Sequence, residues 1–430
     1  MERFIQKLFL KLLTGESRIA QRKRVPSADE LREKFEDIEQ LGLYLHIPFC
    51  RQICPYCPYN KELLSESAAG RYVKAVRQEI DSYASLLAGK QITSLYIGGG
   101  TPTTLLGRGL GEILGHIQDI FHVQCAVHLE SHPNDLSAGN LDAILSLGIR
   151  HLSIGVEALQ DRHLRFLCRP YTVEKVREAL QRSVGWGFEC VNADVMFALP
   201  GQTGEEIERT GHALVELGVD QVAAYPLFRF PYTQLGQTGK GRGVGVSEIL
   251  RRRKMLRILE KIFYEAGYER TSVWAFTRRG VPRYCSVTVP LYVGLGASGA
   301  SYLNDVFYLN TFRVSEYVEA WENGRSAIAL SVDLSERMQR AGWLYWRIYE
   351  TTCRKADYQD RFGNDFDGVY GGWLKLLAML GFLRDDGEQI VLSDRGAFWL
   401  HAFEDMFSID YVSRLWGVSA RDPWPEQVLL

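Results

Sequence analysis

The sequence predicts an α/β fold in which parallel strands alternate with helices, followed by a smaller helical part. Three observations predict it. Short apolar runs recur through residues 43–227, separated by stretches of helical periodicity. Glycines, cysteines and carboxylates fall at the C-terminal ends of these runs, where parallel α/β folds bind ligands. Beyond residue 228 the alternation stops and helical patterns dominate.

The elements follow in order. In residues 1–40 the apolar residues Phe4-Ile5, Leu8-Phe9-Leu10 and Leu12-Leu13 recur at helical spacing, with Arg3, Lys7 and Lys11 between them. This basic amphipathic helix is expected to dock on the protein's own core, because its apolar face is short for a membrane surface. Residues 14–40 read as a polar connection with a short helix. Strands are expected at 43–49, 93–98, 126–131, 151–157, 190–199 and 221–227. Helices are expected at 69–88, 107–119, 137–147, 161–186 (broken near Pro170) and 204–217. Six strands separated by helices imply parallel pairing through right-handed crossovers. The pattern alone leaves a doubly wound sheet and an incomplete six-stranded barrel both open. Further on, helices are expected at 249–266, 333–353, 371–383 and 394–407. Gly381–Gly387 and Gln389–Ser393 look like a hairpin wing, so the end of the chain reads as winged-helix-like. It is not strongly basic, so packing is its expected role. The expected domains are an N-terminal helical segment over 1–40, a core over 41–300 and a C-terminal helical domain over 301–430.

Composition narrows the function. The 430 residues are 46% hydrophobic and 24% charged, with a net charge of −2. No basic field argues for nucleic acid. Eight cysteines in this length are not a disulfide framework. No run approaches a membrane span and no secretion signal is expected. The expected location is a reducing cytoplasm. Cys125, Cys168, Cys190, Cys285 and Cys353 are scattered and read as buried thiols.

Cys50, Cys54 and Cys57 are different. They lie within eight residues, on a loop punctuated by Pro55, Pro58 and Asn60, directly after the first strand. Three thiolates can hold three irons of a cubane cluster and leave the fourth open to a small molecule. Structural zinc would need a fourth ligand, and no second Cys-x-x-Cys follows. Gly98-Gly99-Gly100-Thr101-Pro102 ends the second strand and permits close backbone approach to a ligand. Glu130 and Glu157 end the third and fourth strands, where carboxylates can receive ribose hydroxyls. Arg169, at a helix end, can pair with a carboxylate. Asp194 lies within an apolar strand and must have a partner.

Cys50-x3-Cys54-x2-Cys57, with Tyr56 before the last cysteine, resembles the radical S-adenosylmethionine signature. Tyr44-x-His46-Ile-Pro-Phe-Cys50, Gly98–Pro102, Ser153-Ile-Gly-Val156 and Leu199-Pro-Gly-Gln202 resemble the oxygen-independent coproporphyrinogen III oxidase family, which includes haem chaperones. The resemblance covers roughly residues 43–300. It implies a partial (β/α)6 TIM-like barrel as the radical SAM core. Cys50, Cys54 and Cys57 would bind a 4Fe-4S cluster that reduces S-adenosylmethionine and yields a 5′-deoxyadenosyl radical. Tyr56 would pack near the adenine, Tyr44 near the methionyl end, and Glu130 against the same molecule. A second S-adenosylmethionine would lie near Gly99, Gly100, Thr101, Arg169, Asp194 and Glu157. The resemblance also implies a flavodoxin- or ferredoxin-type electron donor and a tetrapyrrole or haem as the small-molecule substrate. Arg229 and Arg251-Arg252-Arg253 could meet propionates, and a solvated helix face is the equally open alternative.

Two departures bear on the substrate. Tyr59 stands where the oxidases carry a fourth cysteine. The chain has no histidine between His212 and His401, so the chaperones' His-Asn-x-x-Tyr-Trp segment is missing. At Glu157 the family commonly has glutamine. The rival readings are a radical C-methyltransferase using two S-adenosylmethionines and a non-catalytic haem-binding chaperone.

Overall fold

The computed structural model describes Lys11, residues 14–16, 18–238, 245–283 and 290–430. The expected helix over residues 1–13, apart from Lys11, lies outside this set, as does Cys285.

Six strands form the centre: β1 Gln40–Ile47, β2 Gln91–Gly99, β3 Val127–Ser131, β4 Ile149–Glu157, β5 Cys190–Phe197 and β6 Gln221–Pro226. They pair in chain order and all in parallel. The crossovers are α1 Glu66–Tyr83, α2 Leu110–Ile120, α3 Ala138–Ser146, α4 Val173–Ser183 and α5 Gly204–Glu216. Each helix buries an apolar stripe on the sheet, such as Tyr72, Val73, Val76 and Ile80 of α1. The strands are buried on both faces, hence their apolar runs.

The sheet stays open rather than closing into a barrel. Past β6 it continues through the antiparallel strand β7 Ala275–Arg278. Past β1 it continues through β8 Tyr292–Leu295, parallel to β1, and then through antiparallel β9 Ala300–Tyr302, β10 Val306–Asn310 and β11 Ile328–Asp333. The expected boundary at 300/301 therefore falls inside β9, whose backbone is bonded to β10. The N-terminal segment is not purely helical either. Ala20–Arg22 pairs with β11 and with the last strand, Gln427–Leu429, ahead of the helix Ala28–Glu36. Gln21 is fully buried there.

The long helix α6, Val246–Glu265, already covers α5. It is followed beyond β11 by α7 Glu336–Tyr349, α8 Phe366–Met379 and α9 Asp394–Ser419. The strands Thr352–Arg354, Gln389–Leu392 and Leu383–Asp385 make a small antiparallel sheet, so the expected wing is present. This region has its own core of Trp343, Tyr358, Phe366, Leu374, Leu383 and Ile390. Helix α8 starts five residues before expectation because the Asp365 side chain accepts from Gly368 N. Helix α9 runs twelve residues past expectation, to Ser419, and buries Leu415 beside Phe312 and Leu330. No helix among the described residues is long and apolar enough to cross a membrane.

Candidate functional site

Strand register assembles the site. Glu130, Ser153, Asn192 and Gln221 stand level on four neighbouring strands, β3 to β6. Residues level across a sheet share a face. Two residues further along, Gly155 is level with Asp194 and Ala223. These rows, the loops after β1 and β2, and helices α7 and α9 line a cavity of about 680 Å³.

The cysteine loop leaves β1 through Phe49–Cys50 and is fastened by the glycine turn. Gly100 N donates to Ile47 O at 2.8 Å and Thr101 N to Phe49 O at 2.8 Å. A side chain at Gly100 would meet the Pro48 backbone at 2.8 Å, and one at Gly99, where φ is +119°, would meet His46 at 2.6 Å. The protein's own close packing thus requires these glycines before any ligand does. His46 is held between the Tyr44 hydroxyl and Asn60 O, both at 2.9 Å, and burial lowers its pKa to about 4.

Cys50, Cys54 and Cys57 are reduced and all three line the cavity. The Thr101 hydroxyl lies 3.5 Å from Cys50 Sγ, and Arg169 Nη1 lies 3.3 Å from Cys54 Sγ. Burial raises the Cys50 thiol, and it pushes Cys57 up to about 12 against the pull of Lys61. Among the described residues no three His, Cys, Asp or Glu side chains are close enough to hold a single ion. Three thiols on one loop, with Arg169 and Lys61 beside them, fit an anionic cluster in which each sulfur takes its own iron.

The carboxylates are individually held. Glu130 accepts from the Tyr96 hydroxyl at 2.7 Å and from Gly99 N at 3.1 Å, while burial raises its pKa. Asp194 accepts from the Ser153 hydroxyl at 2.6 Å and from Asn192 Nδ2 at 2.9 Å. Burial nevertheless pushes Asp194 up to about 7. Glu157 ends β4 in the left-handed region, φ 64°, with a carboxylate oxygen 3.5 Å from Arg169 Nη2. Arg169 also donates to Gly155 O at 3.1 Å and to the Tyr171 hydroxyl at 2.6 Å.

Of the expected site residues, the structure brings Cys50, Cys54, Cys57, Tyr56, Gly99, Gly100, Thr101, Glu130, Glu157, Arg169 and Asp194 to one cavity. Tyr44 is the exception. It is not among the residues that line the cavity; its ring lies 6.1 Å from that of Tyr96, which does, and its hydroxyl bonds His46 Nδ1. The basic stretch is also corrected. Arg251 donates to Ala198 O and Leu199 O, Arg252 to Leu227 O, and Arg253 pairs with Glu260, so their charges serve the fold. Arg229 is exposed and not on the cavity wall. Of the scattered cysteines, Cys168 is exposed rather than buried, at a helix end with φ 54°.

Sequence reasoning missed Asn192, which strand alternation with Asp194 could have found. It also missed Trp274, Tyr345, His401 and Asp405, which have no local signal and reach the cavity only through the tertiary fold. Tyr59 lines the cavity too, half exposed, with its ring 5.9 Å from Trp416 of α9.

Residues 44–214 match the family model of the radical SAM superfamily. The heme chaperone HemW of Bacillus subtilis (strain 168) is 25% identical over 361 residues, 82% of this chain and 95% of the relative. The oxygen-independent coproporphyrinogen III oxidase of Salmonella typhimurium is 25% identical over 342 residues, 72% of this chain and 74% of the relative. The solved coproporphyrinogen III oxidase (HemN) from Escherichia coli superposes with a TM-score of 0.74 at 21% identity, covering 92% of this chain and 94% of that one. At that identity the superposition establishes a shared fold.

Proposed function

We propose that the protein, whose residues 44–214 match the family model of the radical SAM superfamily, is an enzyme that uses S-adenosylmethionine and a 4Fe-4S cluster to oxidise or modify a tetrapyrrole. The observation that carries this reading is the meeting of the three cysteines, the glycine turn and the strand-end carboxylates on one cavity wall.

Cys50, Cys54 and Cys57 would each hold one iron. When bound, the cluster would supply the electron for reductive cleavage of the S-adenosylmethionine sulfonium. The chain's own groups position the reactants. Arg169 and Lys61 offset the negative charge of the three thiolates. Glu130, fixed by Tyr96 and Gly99 N, presents an acceptor beside the glycine turn. Tyr56 offers an aromatic face next to Cys57. Asp194, held by Ser153 and Asn192, reaches about half ionisation near neutral pH and can hold or release a proton at its carboxyl oxygen. The Glu157–Arg169 pair occupies the cation that a second S-adenosylmethionine would need, which favours a single bound molecule. The relatives' names support a tetrapyrrole or haem as the ligand. A non-catalytic haem-carrying role is a second reading, favoured by the HemW relatives that align over most of the chain.

Anaerobic reconstitution with iron and sulfide, followed by reduction with S-adenosylmethionine, tests the proposal. The expected results are charge-transfer absorbance near 400 nm, about four irons per chain, and release of 5′-deoxyadenosine. Cys54→Ala is expected to abolish all three. Cluster absorbance surviving in that variant would sink the reading, and stoichiometric haem binding without 5′-deoxyadenosine would favour the carrier.

A further inference from the structure

Away from the cavity, the junction between the added strands and the helical C-terminal part holds a cluster of donors without acceptors. Arg361 lies in the last turn of the helix Lys355–Phe362, and its Nε and Nη2 are buried with no hydrogen-bond partner. Tyr302 ends β9, and its hydroxyl is also buried and unpartnered. Arg340 of α7 adds a buried, unpartnered Nε. None of these three residues lines the cavity of the candidate site.

Packing on two aromatic rings brings the groups together. Arg361 and Arg340 both lie over the ring of Phe362, at 5.6 and 5.8 Å from its centroid. Phe362 packs edge-on against Trp343 of α7 at 6.2 Å, and Arg347 lies over the Trp343 ring at 5.8 Å. Arg340, Trp343 and Arg347 stand at i, i+3 and i+7 of α7 and so share one face. Tyr302 reaches the same helix: a side chain at Gly342 would come within 3.2 Å of its hydroxyl. Glycine at this place leaves room beside the phenol.

The charges at this junction do not balance. Glu336 takes Arg340, and Glu350 takes both Arg347 and Arg283. Asp357, on the same helix as Arg361, is held by Arg354. Among the described residues no carboxylate pairs with Arg361. Burial lowers its pKa; the Tyr302 phenol pulls the other way, and Arg347 adds to the lowering. A guanidinium stays charged at ordinary pH, so it cannot escape this cost by losing its proton. Stacking on Phe362 offsets only a small part of the cost of a half-buried, unpaired cation. An anion would offset the rest.

We propose that this junction is a binding site for a phosphate-type oxyanion, held by Arg361, Tyr302 and Arg340. The Nε–H and Nη2–H groups of Arg361 form one edge of the guanidinium, which matches two oxygens of such an ion. The Tyr302 hydroxyl and Arg340 Nε offer donors to further oxygens. Four donors on three side chains suit a tetrahedral set of oxygens better than the two coplanar oxygens of a carboxylate. The ion ties β9 of the main sheet to α7 and to the helix Lys355–Phe362. Because α7 carries Tyr345 and Tyr349 on the cavity wall, fixing α7 also fixes part of that wall. Free phosphate and the terminal group of a phosphomonoester share this chemistry.

The test follows the thermal midpoint of the full-length reconstituted protein, exchanged into phosphate-free buffer and titrated at constant ionic strength with inorganic phosphate, glycerol 3-phosphate, acetate or chloride. A ligand that binds only the folded state raises the midpoint in a concentration-dependent way. Phosphate is expected to do so, and acetate and chloride are not. A response to phosphate without one to glycerol 3-phosphate supports a site for the free ion; a response to both supports a site open to esters. Calorimetric titration with phosphate is expected to show affinity about tenfold weaker in Arg361→Gln and several-fold weaker in Tyr302→Phe, as loss of a charge-assisted and of a neutral hydrogen bond implies. In phosphate-free buffer Arg361→Gln is expected to be at least as stable as the wild-type protein, because it removes an unpaired cation. A lower midpoint in that buffer, or failure of this variant to fold, would show that the protein already satisfies Arg361 and would overturn the proposal. No shift with phosphate, equal shifts with phosphate, acetate and chloride, or a phosphate shift unchanged in Arg361→Gln would overturn it as well. None of these outcomes bears on the ligand of the cavity.

Discussion

Glu157 carries a charge and a backbone conformation that both have consequences. Its left-handed φ of 64° is uncommon for a side chain of this size and turns the end of β4 so that the carboxylate meets Arg169. Arg169 in turn touches Cys54 Sγ, so one ion pair links a cavity-facing strand to a proposed cluster ligand. Glutamine in this place would keep the shape and remove the charge. Glu157→Gln is expected to free Arg169 for a ligand carboxylate and add a second S-adenosylmethionine-binding event in calorimetric titration, with an affinity gain of about tenfold at that step. A single event of unchanged affinity would count against a role for this pair in limiting the number of bound molecules. The identity of Glu157 was legible in the sequence. Its pairing was not, because Arg169 lies twelve residues away across a broken helix.

At the scale of elements, Glu79 of α1 shows how the sheet is extended. Its carboxylate is fully buried and accepts from Gly296 N and Asn310 Nδ2, each at 2.6 Å, and from the Tyr317 hydroxyl at 2.5 Å. These donors come from the turn after β8, from β10 and from the helix Val314–Glu322, so one side chain ties the first crossover to the added strands. Burial raises its pKa from 4.5 to about 7 despite the three donors. Between those values the folded state binds more protons than the unfolded chain. Stability therefore falls as pH rises from about 4.5 to about 7 and is level above that. The loss is on the order of 3 kcal/mol at most. Glu79→Gln is expected to flatten this slope in urea midpoints of the reconstituted protein, at a cost of about 1–3 kcal/mol at low pH from the poorer acceptor. A slope that survives the substitution would place its origin elsewhere. The six central strands were legible because both of their faces are buried and they read as apolar runs. Strands β8 to β11 were less so, since they are short, carry polar residues and follow a segment of changed rhythm. Asp365, an unnoticed cap, moved the start of α8.

At the scale of the molecule, the cavity is shared by two parts of the chain far apart in sequence. The rim of the parallel strands contributes the cysteine loop and the carboxylates, and α9 contributes His401 and Asp405. The contact of Tyr59 with Trp416 closes the space beside the cysteine loop. Trp416→Ala is expected to leave cluster assembly intact but speed loss of cluster absorbance in air several-fold, because shielding of the loop depends on that ring. Bleaching at the wild-type rate would show that α9 does not shield the cluster. The final strand, Gln427–Leu429, returns to the main sheet beside Ala20–Arg22. Residues 20–22 and 427–429 are therefore part of the same sheet that carries the site.

The sequence by itself determined which groups meet at the first wall. Cysteine spacing, a glycine turn and carboxylates at strand ends are local features, and parallel α/β topology brings strand ends together wherever such a sheet forms. The tertiary structure alone decided three further matters: that Arg251–Arg253 serve the fold, that Tyr44 does not line the cavity, and that a histidine–carboxylate group on α9 faces the same cavity. Each depends on which face of an element is covered by residues distant in sequence, and strand or helix periodicity does not encode that.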